Sequence, residues 1–338
     1  MRRTISTPTL SDVAEVAGVS TATVSRCLNA PDRVQEATRR RVMAAVQQLG
    51  YSPNFGARVL AEGRTRTVGA IIPTMENAIF SRGIQAFQEE LRDHGLTLLI
   101  ASSSYRPEIE EEQIRALVGR GAEGLLLIGF QRSAGIRDFL RAQNVPALVA
   151  WAYEADAPQV CVGFDNQAAM AALAQEVIAR GHRRLALISA DPAVNDRAAA
   201  RIRGLRAAMT AAGLDPETLA LEPTDASLDA GGLAFRRLWE KTQRPTVVLC
   251  GTDVLAAGAL TMAHEMGVDV PRAVSITGFA DLDLARITRP PLTTMHLPHR
   301  RMGREAARML VRMMAGDPVE SLKLDCEMVL RGTLAGPP

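Results

Sequence analysis

Few of the residues that announce a particular chemistry occur in this chain of 338 residues. Its four cysteines, Cys27, Cys161, Cys250 and Cys326, stand far apart with no CxxC pair and no His at metal-ligand spacing. Neither a zinc site nor a disulfide framework is signalled, and a reduced cytosol fits. The N-terminus, MRRTISTPTLSDVAEVAG, is polar and lacks an apolar stretch of signal-peptide length. No window approaches the roughly 18 consecutive apolar residues of a membrane span. The expectation is a cytoplasmic protein that neither enters nor crosses a membrane. GxSxG, HExxH and GxxxxGKS/T are all missing. Without a nucleophile and base, a metal cluster or a phosphate loop, the chain reads as no enzyme, with no metal and no cofactor. His94, His182 and His264 stand near predicted helix ends or loops, where solvated histidines are common, while His296 and His299 flank a predicted crossover and read as structural. Aromatics amount to 4%, and Lys241 and Lys323 are the only lysines, so nearly every positive charge is a guanidinium.

The length suits two or three domains at roughly 100–200 residues each. Apolar residues at 47% and charged residues at 22% are ordinary for a globular protein and exclude a largely disordered one. The net charge of +2 hides a division: residues 1–66 hold ten Arg against five acids, or +5, which leaves −3 for the remainder. A small basic head on a mildly acidic body suggests a polyanionic partner for the head alone.

That head carries a helical pattern. Leu10, Val13, Ala14 and Ala17 recur at i, i+3, i+4 and i+7, and Thr9 with Asp12 approximates a capping box. Gly18 supplies a left-handed residue, Val19 turns inward, and Ser20 can cap a second helix over residues 21–28 that buries Val24 and Leu28. Thr21, Ala22, Ser25 and Arg26 then face outward. Such a surface can enter a major groove, with Arg26 reaching guanine or phosphate and Thr21 and Ala22 touching a thymine methyl; an ordinary helical bundle would show the same pattern. A third helix over residues 35–49 places Val42, Val46 and Leu49 on one face and ends at Gly50, with Arg39, Arg40 and Arg41 near its start for phosphates or for solvent. The following NFGARVLAE, residues 54–62, is marginal as an isolated helix and suited to ordering on a partner.

The run TLSDVAEVAGVSTATVSRCLN, followed by VQEATRRRVMAAVQQLGYSPN and ARVLAEGRTRTVGAIIP, closely resembles the LacI/GalR family of bacterial transcription regulators, and the likeness extends over nearly the whole chain. The resemblance implies that Thr21, Ala22 and Arg26 hold base-reading positions of a recognition helix. It places Thr9, Leu10, Ser20, Thr23, Ser25, Asn29, Arg39 and Asn54 at the DNA around them. Leu60 matches the hinge leucine that wedges into a minor groove, and Ala61 stands where relatives often carry a basic residue.

From Val68 onward, VGAIIP, TLLIAS, GLLLIG, ALVAWA and VCVGF, then LALISA, VVLCG and VSITGF, alternate with helical stretches, which argues for parallel sheets covered on both faces. Two groups of runs suggest two lobes. The expected architecture is an all-α helix-turn-helix head plus an α/β, two-lobed effector domain, the resemblance supplying its periplasmic-binding-protein-like (type I) topology with three crossovers. Expected bounds are residues 1–50 for the head and 51–66 for the hinge helix and linker. The body spans 67–338, with the N-lobe at about 67–164 and 295–320 and the C-lobe at about 165–290 and 321–338.

Open α/β sheets place ligands at the carboxyl ends of their strands. There stand Asn77, Ile79 and Phe80 after the first run, an amide beside an aromatic that suits a polar ring or simply a capped helix with a core Phe. Trp151 and Tyr153 follow ALVA, where a Trp can stack on a sugar or close the lobe interface. Asn195, Arg197 and Arg201 follow LALISA; the resemblance makes Arg201 the arginine that crosses the cleft to the effector and Trp151 and Thr252 further contacts. Asp253 reads as a helix cap. Relatives often carry an acid directly after the glycine-aromatic pair; here Ala280 stands there, and Asp281 is the best remaining acceptor. Arg132, Arg197 and Arg201 near one cleft could hold a carboxylate bidentately, and MENAIF, YRPEIEEEQ and GFADLDLA look similar to members that sense gluconate or ketogluconate. The expected function is a repressor, a homodimer on a pseudo-palindromic double-stranded operator, controlled by a sugar or sugar-acid effector. A periplasmic-type sugar-binding protein without DNA function is the alternative, but it would need a signal peptide and no basic head.

Overall fold

The computed structural model describes residues 7–52, 56, 59, 63–76 and 78–338. It forms two compact units, Met1–Thr65 and Arg66–Pro338. Asn54, Leu60, Ala61 and Asn77 lie outside the described residues.

In the first unit, α1 (Leu10–Ala17), α2 (Thr21–Asn29) and α3 (Glu36–Leu49) enclose a small core of Val13, Ala14, Ala17, Val24, Cys27, Val42 and Ala45. The capping box is present: Thr9 N donates to Asp12 Oδ2 at 2.7 Å, and Asp12 N donates back to Thr9 Oγ1 at 3.3 Å. Gly18 (φ +61°) and Gly50 (φ +63°) end α1 and α3 in the left-handed region, where a side chain would be strained. Ser20 caps α2 through Thr23 N. Cys27 rather than Leu28 joins Val24 in the core, because i and i+3 align more closely with the buried arc of this short helix and Leu28 falls on its margin, half-buried.

The second unit alternates strands and helices. β1 (Thr67–Ile72), α4 (Ser81–Asp93), β2 (Thr97–Ser102), α5 (Pro107–Gly119), β3 (Ala122–Ile128), α6 (Ala134–Ala142), β4 (Ala147–Ala150) and β5 (Cys161–Gly163) build the first lobe. Next come α7 (Asn166–Ala179), β6 (Leu185–Ser189), α8 (Asp196–Ala211), β7 (Ala220–Pro223), α9 (Leu228–Trp239), β8 (Val247–Cys250), α10 (Asp253–Glu265), β9 (Ser275–Thr277) and α11 (Leu284–Ile287). The chain then recrosses through β10 (Thr294–His296), α12 (His299–Ala315), β11 (Leu322–Lys323) and β12 (Glu327–Val329). The sheets run in the orders β11-β5-β4-β3-β1-β2 and β7-β6-β8-β9, and their ladders are parallel.

Strand alternation sends the side chains of each sheet into two cores. Val68, Ala70 and Ile72 of β1 join an apolar cluster that runs through both lobes, whereas Ile71 faces the separate cluster beneath α5 and α6. Leu185 and Leu187 of β6 join the shared cluster, while Ala186 and Ile188 face the one beneath α9 and α10. Leu322 and Lys323, expected in the C-lobe, pair instead with Val162 and Gly163 in the first sheet. The chain reaches the second lobe only afterwards, where Thr333 O accepts from Ile276 N. His182, expected to be solvated, is buried between Thr246 Oγ1 and Ala335 O, each at 2.9 Å, and ties the last residues to that lobe.

Candidate functional site

Two groups of residues stand out, one on each unit. On the first, Thr21, Ala22, Arg26 and Asn29 are exposed along α2, and Thr23 and Ser25 are half-buried. The spacing follows from burying Val24 and Cys27, which turns positions 21, 22, 25, 26 and 29 away from the core. Ser20 Oγ lies 2.9 Å from Thr23 Oγ1, and Asn29 Nδ2 donates to Ser25 Oγ at 3.3 Å, so the outer face of α2 is held in order by its own side chains. Thr9 is exposed at the start of α1 and Leu10 packs partly into the core. Arg39, Arg40 and Arg41 are exposed on α3.

On the second unit the sheet order creates two switch points, between β1 and β3 and between β6 and β8, where successive connections leave in opposite directions and open a crevice at the strand ends. The loops from these ends converge between the lobes. Phe80, Trp151, Asn195, Arg197, Arg201 and Thr252 all line one pocket there, together with Ile79. Its free central space is about 30 Å3, far below the roughly 300–1,000 Å3 of a typical small-molecule site. The lobes are therefore closed in this structure, and a sugar-sized molecule needs them to part. A wider groove of about 570 Å3 adjoins the pocket and shares Asn166 and Arg197 with it.

Each pocket side chain has a structural reason for its position. Trp151 takes φ +60° directly after β4, which brings its indole edge-on to Phe80 with centroids 5.4 Å apart. Asn195 and Thr252 cap α8 and α10 through Ala198 N and Leu255 N. Arg201, one turn into α8, donates to Asn166 Oδ1 at 2.7 Å and stands 5.1 Å from the Phe279 ring centre. Burial first, and the neighbouring Arg197 second, pull the Arg201 guanidinium down to about 10, still charged at neutral pH. Arg197 is paired with Asp196 at 2.9 Å.

Two expected members stand elsewhere. Asp281 does not line the pocket: its carboxylate accepts from Arg331 at 2.6 Å and faces His296 Nδ1 at 3.0 Å. Arg132 is spent on Glu110 at 2.7 Å and on the carbonyls of Ile128 and Gly129, so it has no free face for a ligand. Asp253 is not the cap of α10; Thr252 is, and Asp253 accepts from Leu282 N and Thr294 Oγ1, both at 2.6 Å. Tyr105, Phe164, Asn166 and Phe279 line the pocket without having been singled out. Phe164 and Phe279 end the apolar runs VCVGF and VSITGF, so the strand-end rule could have found both. Tyr105 follows Ser104 with both residues at positive φ, 52° and 58°, a conformation that periodicity does not signal.

Residues 9–54 match the bacterial regulatory proteins of the lacI family, and residues 174–334 match the periplasmic binding protein-like domain. The chain is 36% identical to the HTH-type transcriptional regulator GntR of Pseudomonas aeruginosa, over 96% of this chain and 94% of that one. Among solved structures, a LacI family transcriptional regulator from Silicibacter pomeroyi superposes with a TM-score of 0.87 at 28% identity, covering 97% of this chain and 99% of that one. The lac repressor dimer bound to operator and the anti-inducer ONPF gives 0.84 at 26% identity, with 97% and 99% covered.

Proposed function

The chain belongs to the lacI family of bacterial regulatory proteins, and on that premise we propose that it is a repressor of transcription whose operator affinity is set by a small sugar or sugar-acid effector bound between its two lobes. One observation carries this reading: a helix-turn-helix with an exposed polar recognition face shares a chain with a two-lobed body whose strand-end loops converge on an enclosed pocket. Thr21, Ala22 and Arg26 then read base edges. Thr9, Leu10, Ser20, Thr23, Ser25, Asn29, Arg39 and Asn54 position the head, and Leu60 with Ala61 enters the minor groove. Phe80, Trp151, Asn195, Arg197, Arg201 and Thr252, with Asn77 three positions before Phe80 in the sequence, contact the effector. Asp281 is left out, since Arg331 and His296 occupy its carboxylate.

The protein acts as a cytoplasmic homodimer on a two-fold operator. Effector binding changes the balance of open and closed lobes, and the coupling to DNA can be no larger than the effector's differential affinity for the two states. No helix among the described residues is long and apolar enough to cross a membrane. Relatives are named as transcriptional regulators, and the chain is a regulator and not an enzyme. Selection from random-sequence DNA tests the reading: the full chain should enrich a pseudo-palindrome, and enrichment of no common sequence would reject it.

A further inference from the structure

The pocket between the lobes is unbalanced in its hydrogen-bonding capacity. Its lining contains two guanidiniums, an indole N–H and a phenol, and no carboxylate. The side-chain amide and threonine oxygens each already accept one bond, Asn166 Oδ1 from Arg201, Asn195 Oδ1 and Thr252 Oγ1 from helix amides. Two donors, Trp151 Nε1 and Arg201 Nε, are buried with no partner among the described residues. Neither group can accept a hydrogen bond, so a ligand that pairs with them must bring acceptor oxygens.

Charge points the same way. Arg197 is neutralised by Asp196, but no carboxylate among the described residues contacts Arg201, whose partners are a neutral amide and an aromatic face. A buried guanidinium without a counter-ion is costly, and a ligand that supplies one recovers that cost on binding. Asn166 occupies Nη1, while Nε, on the other side of the planar fork, is buried and unpaired among the described residues, the side on which a carboxylate is held bidentately once the lobes part. The Tyr105 phenol lies on the same pocket, and burial raises its ionisation further above neutrality, so it remains a donor.

The pocket's apolar surface is also unusual for this chain. Phe80, Tyr105, Trp151, Phe164 and Phe279 line it, out of 2 Trp, 3 Tyr and 8 Phe in the whole sequence. Such faces suit a ring. A neutral hexose would present a hydroxyl donor at nearly every carbon to a lining without a carboxylate; Asp281, the acid that follows β9, is turned to Arg331 and His296.

Resting on the reading of this pocket as the effector site, we propose that the effector is a small ring-bearing carboxylate, its anion held by Arg201 and Tyr105 and its ring packed among the aromatic side chains. A cyclic sugar acid and an aromatic acid share that chemistry. Calorimetric titration of the full chain separates them, with glucuronate, 4-hydroxybenzoate, the methyl ester of each, acyclic gluconate and glucose as the probes. At least one ring acid should bind, and its uncharged ester should bind at least ~10-fold more weakly, the loss of one charge-assisted pairing. Tyr105→Phe should weaken the acid about tenfold and leave the ester unchanged, and Arg201→Gln should abolish binding of the acid. Binding of glucose or of an ester as tight as that of the acids would overturn the anion assignment while leaving the pocket as the effector site. Gluconate binding more tightly than both ring acids would overturn the ring. Failure of every acid overturns the proposal, and failure of the neutral probes as well removes the pocket reading with it.

Discussion

Asp253 is fully buried where the chain returns between the lobes, and burial pushes its carboxyl up to about 6 despite hydrogen bonds from Thr294 and Leu282. His299, close by and held by Ala280 O at 3.2 Å, is pushed the other way by burial, to about 4. The two act oppositely on stability. Between about pH 4 and 6.5 the unfolded chain binds a proton at His299 that the native state refuses, so His299 destabilises as pH falls. Over nearly the same range the native state binds a proton at Asp253 that the unfolded chain has released, so Asp253 stabilises as pH falls. Asp253→Asn removes that compensation, and thermal melts should show the variant losing stability more steeply than the parent from pH 6.5 to 4; equal slopes would refute the pairing. At the other unit, Arg26→Ala should cost ~1–3 kcal/mol of specific operator binding if Arg26 reads a base, and mobility shifts on matched and mismatched sites would reveal a phosphate contact instead by an equal loss on both. Single residues were unevenly legible. The Thr9–Asp12 box needed only a spacing of three, and Arg201 only a strand end and a resemblance. Asp281 could not be placed, because its partner Arg331 is fifty positions away and meets it through the fold alone.

Helices pair in the body through glycines whose reason is not visible in their own segment. A Cβ on Gly303 of α12 would stand 2.0 Å from Gly83 O of α4, one on Gly204 of α8 2.1 Å from Gln167 O of α7, and one on Gly258 of α10 1.9 Å from Leu228 O at the start of α9. Each obstacle is backbone and cannot swing aside. Gly303→Ala should therefore destabilise by about 1–3 kcal/mol or more, read as a lower melting temperature, while Gly119→Ala, which meets nothing within 4 Å, should not. An unchanged Gly303→Ala melt would mean that α4 and α12 can separate at little cost. The strands show what local pattern carries. Eight apolar runs were recognisable: the inner parallel strands are continuously apolar because both faces are buried, and β2, though at the sheet edge with Ile100 exposed, keeps the run TLLIAS. β7 was not, since it is a half-exposed edge strand with no apolar run.

The closed body is held by polar contacts across the cleft mouth as well as by its shared core. Asp196 Oδ2 of the second lobe accepts from Phe130 N of the first, Gln131 Nε2 donates to Ala193 O at 2.6 Å, and Arg82 pairs with Asp283. These bonds favour closure, and Asp196 also pairs with Arg197 of the pocket. Asp196→Ala should shift the population toward open lobes, speeding ligand association and enlarging the scattering radius of the unliganded protein; unchanged values for both would exclude the contact as a closure device. Deleting residues 1–62 should abolish operator binding and leave ligand affinity intact, because the body forms a compact unit of its own. Operator binding by the deleted protein would relocate the DNA site.

The amino-acid sequence by itself determined the division into a basic head and an acidic body, the helix caps of the head and the strand runs. All of these depend on neighbours within a few positions or on summed charge. Only the tertiary structure decided which side chains share the pocket, that Arg132 and Asp281 are already paired, that no acid among the described residues pairs with Arg201, and that β11 belongs to the first sheet. Those facts depend on groups distant in sequence competing for the same partners. Burial then sets the cost of leaving any of them unpaired, and burial is a property of the whole fold.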